Sequence, residues 1–184
     1  LVEKGTLALT VEGNTIKLLQ SERLVLNYLQ RLSGIATRTY SYARLIDHTK
    51  CTVSDTRKTT PGLRFLEKWA VALGGGGNHR MGLYDMVMLK DNHIDFVGDI
   101  PATLAKVKAY LDRLDYPIPV IVETRNLEQI DDCLDFPWVE RILLDNMTPE
   151  EVESLNVDPS GSQLIPADYD QNNIPSAKTG DFDE

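Results

Sequence analysis

Three short, mainly apolar runs recur along the chain, Met86–Leu89, Pro119–Val122 and Arg141–Leu144, and a mixed one, Cys51–Ser54, precedes them as a further expected strand. Stretches with a helical period separate or follow them, at residues 63–73, 102–114 and 127–134 and again after Thr148. Runs that are apolar throughout, rather than alternating, predict strands buried on both faces. Spaced by helices, they must run parallel, because each return needs a crossover. The fold class expected is therefore α/β, a parallel sheet covered by helices. Periodicity does not separate an open sheet from a closed barrel. Either way, the carboxyl ends of the strands lie on one side, where α/β proteins place their sites. Those ends are polar: Asp55-Thr56-Arg57-Lys58, Lys90-Asp91, Glu123 and Asp145-Asn146.

The flanks follow other patterns. Alternating apolar residues around the turn-prone Glu12-Gly13-Asn14 predict two short strands or a β-turn unit over residues 1–20. Ser21 is the expected N-cap of a helix carrying Leu24, Val25, Tyr28, Leu29, Leu32, Ile35 and Ala36 on one face, which Ser33-Gly34 bends or splits. Asn126 and Thr148 are the expected caps of two later helices, the second with Pro149 at its first position. From about residue 157 both periods fail, and a Pro-, Gly-, Ser-, Asn- and Asp-rich composition predicts a disordered or loosely attached acidic tail, or else an irregular packed lobe.

Charge is distributed unevenly. Residues 1–94 hold 13 Lys and Arg against 8 Asp and Glu, while residues 95–184 hold 6 against 20, giving an overall net of -9. An acidic protein is a poor binder of nucleic acid, which demands a basic face. No apolar run reaches the 18 residues of a membrane span. The opening residues carry no signal-peptide pattern, so a cytoplasmic location is expected. Cys51 and Cys133 match no metal or redox spacing and read as reduced thiols.

The basic half calls for a local explanation. Arg57, Lys58, His79, Arg80 and Lys90 arise from successive strand ends and loops. Gathered on one rim they would repel one another without an anion, so the expected ligand is a small molecule bearing several carboxylates or phosphates. The run Gly74-Gly75-Gly76-Gly77 before Asn78-His79-Arg80 lacks the GK[ST] ending of a phosphate-binding P-loop. Its glycines are expected to allow close backbone approach and so to expose His79 and Arg80 to the ligand cavity. Glu123 and Asp145 either neutralise the cations or bind hydroxyls or Mg²⁺ and stabilise a positive transition state. Met81, Met86 and Met88 read as packing residues, and His48 and His93 as polar surface. No HExxH, Cys/His cluster or Ser–His–Asp pattern occurs.

Taken in order, five stretches resemble one known family. They are Glu22-Arg23 with Asn27-Tyr28-Leu29-Gln30-Arg31-Leu32-Ser33-Gly34-Ile35-Ala36-Thr37, then Asp55-Thr56-Arg57-Lys58-Thr59-Thr60-Pro61-Gly62, then residues 74–85, Leu89-Lys90-Asp91-Asn92-His93-Ile94 and Leu144-Asp145-Asn146-Met147. Together, over roughly residues 1–155, they closely resemble the quinolinate phosphoribosyltransferase (nicotinate-nucleotide pyrophosphorylase, carboxylating) family.

The resemblance implies a type II phosphoribosyltransferase. Residues 1–20 would be a remnant of an N-terminal α/β domain, 21–156 a partial parallel α/β barrel, and 157–184 an acidic tail. It implies a homodimer with shared active sites, the substrates quinolinate and phosphoribosyl pyrophosphate with Mg²⁺, and nicotinate mononucleotide, pyrophosphate and carbon dioxide as products on the de novo route to NAD. By motif, Arg57, His79 and Arg80 would hold the quinolinate carboxylates. Lys58 and Lys90 would neutralise phosphate and carboxylate charge, and Arg23 would reach in from the partner subunit. Glu123 and Asp145 would contact ribose and Mg²⁺.

Three departures accompany the match. The family pattern extends further at the N-terminal side, its Ser-Gly-Gly phosphate motif is absent here, and Ile121 stands where the family usually has an acidic residue. Two alternatives therefore stand beside an active enzyme: a truncated non-catalytic fragment that binds or dimerises, and a paralogous phosphoribosyltransferase for another carboxylated ring.

Overall fold

The computed structural model describes residues 2–155 and the two-residue strand Ile165–Pro166. It divides into two compact units, Leu1–Gly82 and Leu83–Glu184. The tail expected from 157 onward lies outside the described residues apart from that strand.

The first unit is built on a 31-residue helix, α1 (Thr15–Leu45). Its cap is Asn14, whose side-chain oxygen accepts the N–H groups of Ile16 at 3.0 Å and Lys17 at 3.3 Å. The expected cap, Ser21, sits inside the helix and donates back to the Lys17 carbonyl at 2.9 Å. The two strands expected before residue 20 do not form among the described residues, and Leu7, Leu9 and Val11 stay exposed. Nor does Ser33-Gly34 split α1, since one glycine costs a helix only about 1 kcal/mol and the flanking turns carry it.

Helix α2 (Arg64–Leu73) packs against α1. The strand expected at Cys51–Ser54 is reduced to a single parallel bridge, Ser54 to Gly77. The glycine run following α2 is close-packed, not slack. A Cβ on Gly74 would lie 2.4 Å from the Ala36 carbonyl oxygen, and one on Gly76 would lie 2.7 Å from the Thr39 methyl. Small residues of α1 thus require the glycines opposite them.

The second unit carries the parallel sheet. Its strands β1 (Val87–Leu89), β2 (Val120–Thr124), β3 (Arg141–Leu144) and β4 (Ile165–Pro166) lie in sequence order. β4 pairs with Leu143 and Leu144, within a stretch where two paired residues are too few to show any period. The crossovers are α3 (Asp91–Val97) with α4 (Ile100–Leu111), then α5 (Leu127–Leu134), then α6 (Pro149–Ser154). α3 was not expected: it spans seven residues and opens on Asp91-Asn92-His93, too short and polar to register as helical. Gly98, at φ +125°, separates it from α4, which begins two residues before its expected start, on an Asp99 cap. The Asn126 and Thr148 caps form as expected, Thr148 with Glu151 in a reciprocal capping box.

One face of the sheet buries Leu89, Val120, Val122, Ile142 and Leu144 against Ile94, Ile100, Leu104, Ile130 and Cys133 of the helices. Each full aliphatic burial there is worth roughly 1.5–3 kcal/mol. Burial, together with the charge of Asp132, pushes the Cys133 thiol up to about 12, so it behaves as a core residue. Alternation turns Met88, Ile121, Glu123 and Leu143 to the opposite face. Ile121 on that face is fully buried. No helix among the described residues is long and apolar enough to cross a membrane.

Candidate functional site

Each unit holds a group of the candidate residues. In the first, Thr60-Pro61-Gly62-Leu63 forms a turn closed by the Leu63 N–H on the Thr60 carbonyl at 3.0 Å, with Gly62 at φ +79°. Proline second and a positive-φ glycine third is the chemistry of a type II turn, and it fixes where the Asp55–Gly62 loop enters α2.

Three charged residues of α2 hold that loop. Arg64 donates to the Thr59 hydroxyl at 3.2 Å and to the carbonyls of Arg57 at 3.3 Å and Met81 at 3.0 Å. Glu67 accepts the Thr60 N–H at 3.1 Å and two bonds from Arg31 of α1 at 2.8 and 3.0 Å. Burial alone would raise the Glu67 carboxyl, but these hydrogen bonds and the Arg31 charge hold it below its ordinary value. Lys68, with a side chain only 2% exposed, pairs with Asp55 and donates to the His79 carbonyl at 2.8 Å.

Asp55 completes a closed network. It accepts the His79 N–H at 2.8 Å and the Asn78 side-chain amide at 2.7 Å, and that amide also donates to the Lys68 carbonyl at 2.9 Å. The loop bearing Arg57 and Lys58 is thereby tied to the loop bearing His79 and Arg80, beside the Ser54–Gly77 bridge. Arg80 donates its N–H to His79 Nδ1 at 2.8 Å, so the imidazole hydrogen resides on Nε2 and that nitrogen is a donor. Arg57 and His79 are half-buried and Lys58 is exposed. Arg80 is buried, and the glycines before it pack closely against α1 at Gly74 and Gly76.

The second group sits at the carboxyl ends of the strands. Lys90 follows β1 and donates to Glu123 of β2 at 2.8 Å, with Glu123 9% exposed and Lys90 45%. The register that aligns Leu89 with Val122 brings these two side by side. Asp145 follows β3, where its N–H bonds the Thr124 carbonyl at 2.9 Å, and alternation carries it to the Glu123 face. Next to it Asn146 adopts φ +55°, a conformation asparagine tolerates. His93 is exposed as expected, and its Nδ1 accepts the Lys90 N–H at 2.9 Å. Arg125 pairs with Asp95 at 2.7 Å. Arg23 lies exposed on α1, joined to neither group by a hydrogen bond among the described residues.

Sequence reasoning missed Asp55, Asn78, Arg64, Glu67, Lys68 and Arg31 as organisers of these loops. The available signal was that Arg64, Glu67, Lys68 and Val71 form one i, i+3, i+4, i+7 stripe. That stripe, with Ala70 beside it, is the inward face of α2, while Phe65, Trp69 and Leu73 are exposed.

A family model described as "Quinolinate phosphoribosyl transferase, C-terminal domain" matches residues 35–158. The chain belongs to the quinolinate phosphoribosyltransferase family. The match covers Arg57, Lys58, His79, Arg80, Lys90, Glu123 and Asp145, and leaves Arg23 outside it. The chain is 46% identical over 151 residues to the tobacco (Nicotiana tabacum) protein named quinolinate phosphoribosyltransferase (decarboxylating) 2b, mitochondrial, which aligns with 79% of this chain and 42% of the relative. It is 47% identical over 146 residues to a probable nicotinate-nucleotide pyrophosphorylase (carboxylating) of Synechocystis, across 79% of this chain and 48% of that one. The crystal structure of NadC from Streptococcus pyogenes superposes with a TM-score of 0.70 at 44% identity, over 77% of this chain and 49% of that one. The chain thus spans about half the length of the curated family members it matches.

Proposed function

We propose that this chain carries the quinolinate phosphoribosyltransferase reaction, in which quinolinate and phosphoribosyl pyrophosphate give nicotinate mononucleotide, pyrophosphate and carbon dioxide for de novo NAD synthesis. The observation that carries the reading is the pair of tied loops in the first unit. It gives Arg57, His79 and Arg80 fixed main-chain positions beside charges that are already neutralised in pairs. A dianionic ring suits such a site. The guanidinium groups bond carboxylates in bidentate fashion, and His79 donates from Nε2. Exposed Lys58 adds a mobile positive charge.

In the second unit the roles proposed are electrostatic. Lys90 neutralises phosphate or carboxylate charge, and Glu123 and Asp145 face the ribose. Mg²⁺ keeps much of its water shell and is commonly bound by one or two carboxylates together with substrate phosphates. Two carboxylates on one face of the strand ends fit an ion delivered with phosphoribosyl pyrophosphate, and no group of three or more metal-ligating residues occurs among the described residues. Bound there, Mg²⁺ would offset pyrophosphate charge. The pyridine nitrogen attacks C1′ as pyrophosphate departs, and the carboxylates stabilise the positive charge developing on the sugar. The pyridinium charge so formed stabilises the electron pair left on the adjacent ring carbon as carbon dioxide leaves, and a proton from solvent then completes that carbon. No covalent intermediate on the protein is required, so positioning supplies much of the rate.

The same reading takes the parallel sheet as part of a type II barrel and the working form as a homodimer, with Arg23 serving the neighbouring site. Free Cys51 and Cys133 fit a reducing compartment such as the cytoplasm. Isothermal titration of the chain with quinolinate, and a coupled assay for nicotinate mononucleotide, test the proposal. Arg80→Ala is expected to weaken quinolinate binding about 10- to 100-fold, the effect of losing a charged hydrogen-bond partner. No binding by the parent chain, or unchanged affinity in the variant, refutes the assignment, and tighter binding of a different carboxylated ring would redirect it.

A further inference from the structure

The buried Asp55–Lys68 pair touches none of the functions just assigned, yet it bonds the His79 main chain on one side and opens the Arg57 loop on the other. Its two side chains are 7% and 2% exposed. Taking two charges out of water costs more than their attraction returns unless further hydrogen bonds complete both groups. Here they do. Lys68 Nζ donates to Asp55 Oδ1 and to the His79 carbonyl at 2.8 Å. Asp55 also accepts the His79 N–H at 2.8 Å and the Asn78 amide at 2.7 Å. His79 is therefore gripped at both its N–H and its C=O, one by each member of the pair. Arg80 follows it directly, with its own N–H on His79 Nδ1 at 2.8 Å. On the other side, Asp55 lies two residues before Arg57, and its N–H bonds the Gly77 carbonyl at 3.1 Å.

A pair of apolar residues would fill the same volume at less electrostatic cost. It would have no donor for the His79 carbonyl and no acceptor for the His79 N–H. The chemistry at this point is thus specific to holding the His79 main chain at a set distance from the Arg57 loop. The pair is also electrically neutral in sum, so it fixes cations without adding to their mutual repulsion.

We propose that Asp55 and Lys68 are positioning residues that set the spacing between the Arg57 loop and the His79-Arg80 loop, and so select a ligand with two carboxylates. The proposal rests on the quinolinate reading above and deepens it. The pair acts through the loops and contacts no substrate.

The test compares the parent chain with Lys68→Met, Asp55→Asn, the double variant, and Ile130→Val, a core change remote in sequence that lowers stability without altering either loop. Quinolinate and nicotinate, its monocarboxylate counterpart, are titrated into each, and amide exchange is followed at His79 and Arg80. The expected result is that Lys68→Met and the double variant lose quinolinate affinity tenfold or more while nicotinate affinity changes less than threefold. Exchange at His79 should accelerate, and Ile130→Val should leave both affinities unchanged. If the variants bind quinolinate as the parent does, the positioning role is overturned while the quinolinate reading stands. If both ligands weaken equally and Ile130→Val behaves alike, the pair serves stability alone, which also overturns the proposal. If the parent itself binds no quinolinate, the underlying reading fails and the positioning role fails with it, whatever the exchange rates show.

Discussion

Gly74 and Gly34 make opposite demands at the scale of one methyl group. A Cβ at Gly74 would meet the Ala36 carbonyl oxygen at 2.4 Å and the Thr39 Cβ at 2.7 Å, and the main chain of α1 cannot move aside without breaking its own hydrogen bonds. Gly34, inside α1, would meet nothing within 4 Å. Gly74→Ala is therefore expected to lower stability by about 1–3 kcal/mol, as overpacking does. Gly34→Ala should raise it by roughly 0.5–1 kcal/mol, by removing the backbone entropy glycine loses in a helix. Urea unfolding midpoints check both signs, and a destabilising Gly34→Ala would show that α1 needs the glycine for a reason other than helix formation. Neither demand was legible in the sequence, where Gly74 to Gly77 suggested only close backbone approach beside a cavity. Composition shows that a Cβ is missing; it does not show what occupies the space.

Helix α2 shows why some elements were legible and others were not. β3 and α5 match their expected bounds because an apolar run or a side-chain cap marks each end, as Asn126 does for α5. α2 lies within one residue of its expected bounds and buries Ala70, but it buries Glu67 and Lys68 beside it. Arg64, Glu67 and Lys68 point inward because their partners are the main-chain groups of two loops and the Arg31 side chain of α1, distant in sequence and invisible to a local period. The consequence is a pH dependence. Glu67 has a folded value held below the ordinary 4.5, so the ionised carboxylate stabilises the fold fully above pH 4.5. That contribution is lost as pH falls through the folded value beneath it. Glu67→Gln should be less stable than the parent at pH 7 by about 1–3 kcal/mol, the worth of hydrogen bonds to a buried charge. The two proteins should converge in stability as pH drops below 4.5. Thermal melts from pH 7 to 3 follow this, and a constant gap across the range would mean that Glu67 acts by shape and not by charge.

Charge is partitioned between the units as it is along the chain. Residues 1–82 hold twelve Lys and Arg against six Asp and Glu, and residues 83–184 hold seven against twenty-two. The alternation of apolar runs made the sheet of the second unit legible, including Lys90, Glu123 and Asp145 at its carboxyl ends, because strand register alone sets those positions. The first unit's candidate site depends on side-chain networks, so only its cations could be read in advance. This asymmetry predicts a division of labour. Variants of the first unit should affect recognition of the dicarboxylate, and variants of the second should affect the chemical step. Glu123 is the sharper probe, since its side chain is 9% exposed and paired with Lys90 at 2.8 Å. Glu123→Gln preserves volume and a hydrogen-bond acceptor but removes the negative charge that the proposed mechanism sets against developing positive charge on the sugar. Turnover at saturating substrates should fall on the order of 100-fold, comparable with losing one preorganised electrostatic contact. Quinolinate affinity should stay within about threefold of the parent, whereas Arg80→Ala should show the loss of affinity instead. Single-turnover formation of nicotinate mononucleotide alongside quinolinate titration separates the two effects. If Glu123→Gln weakens quinolinate binding as strongly as Arg80→Ala does, the two units share one recognition role and the division fails.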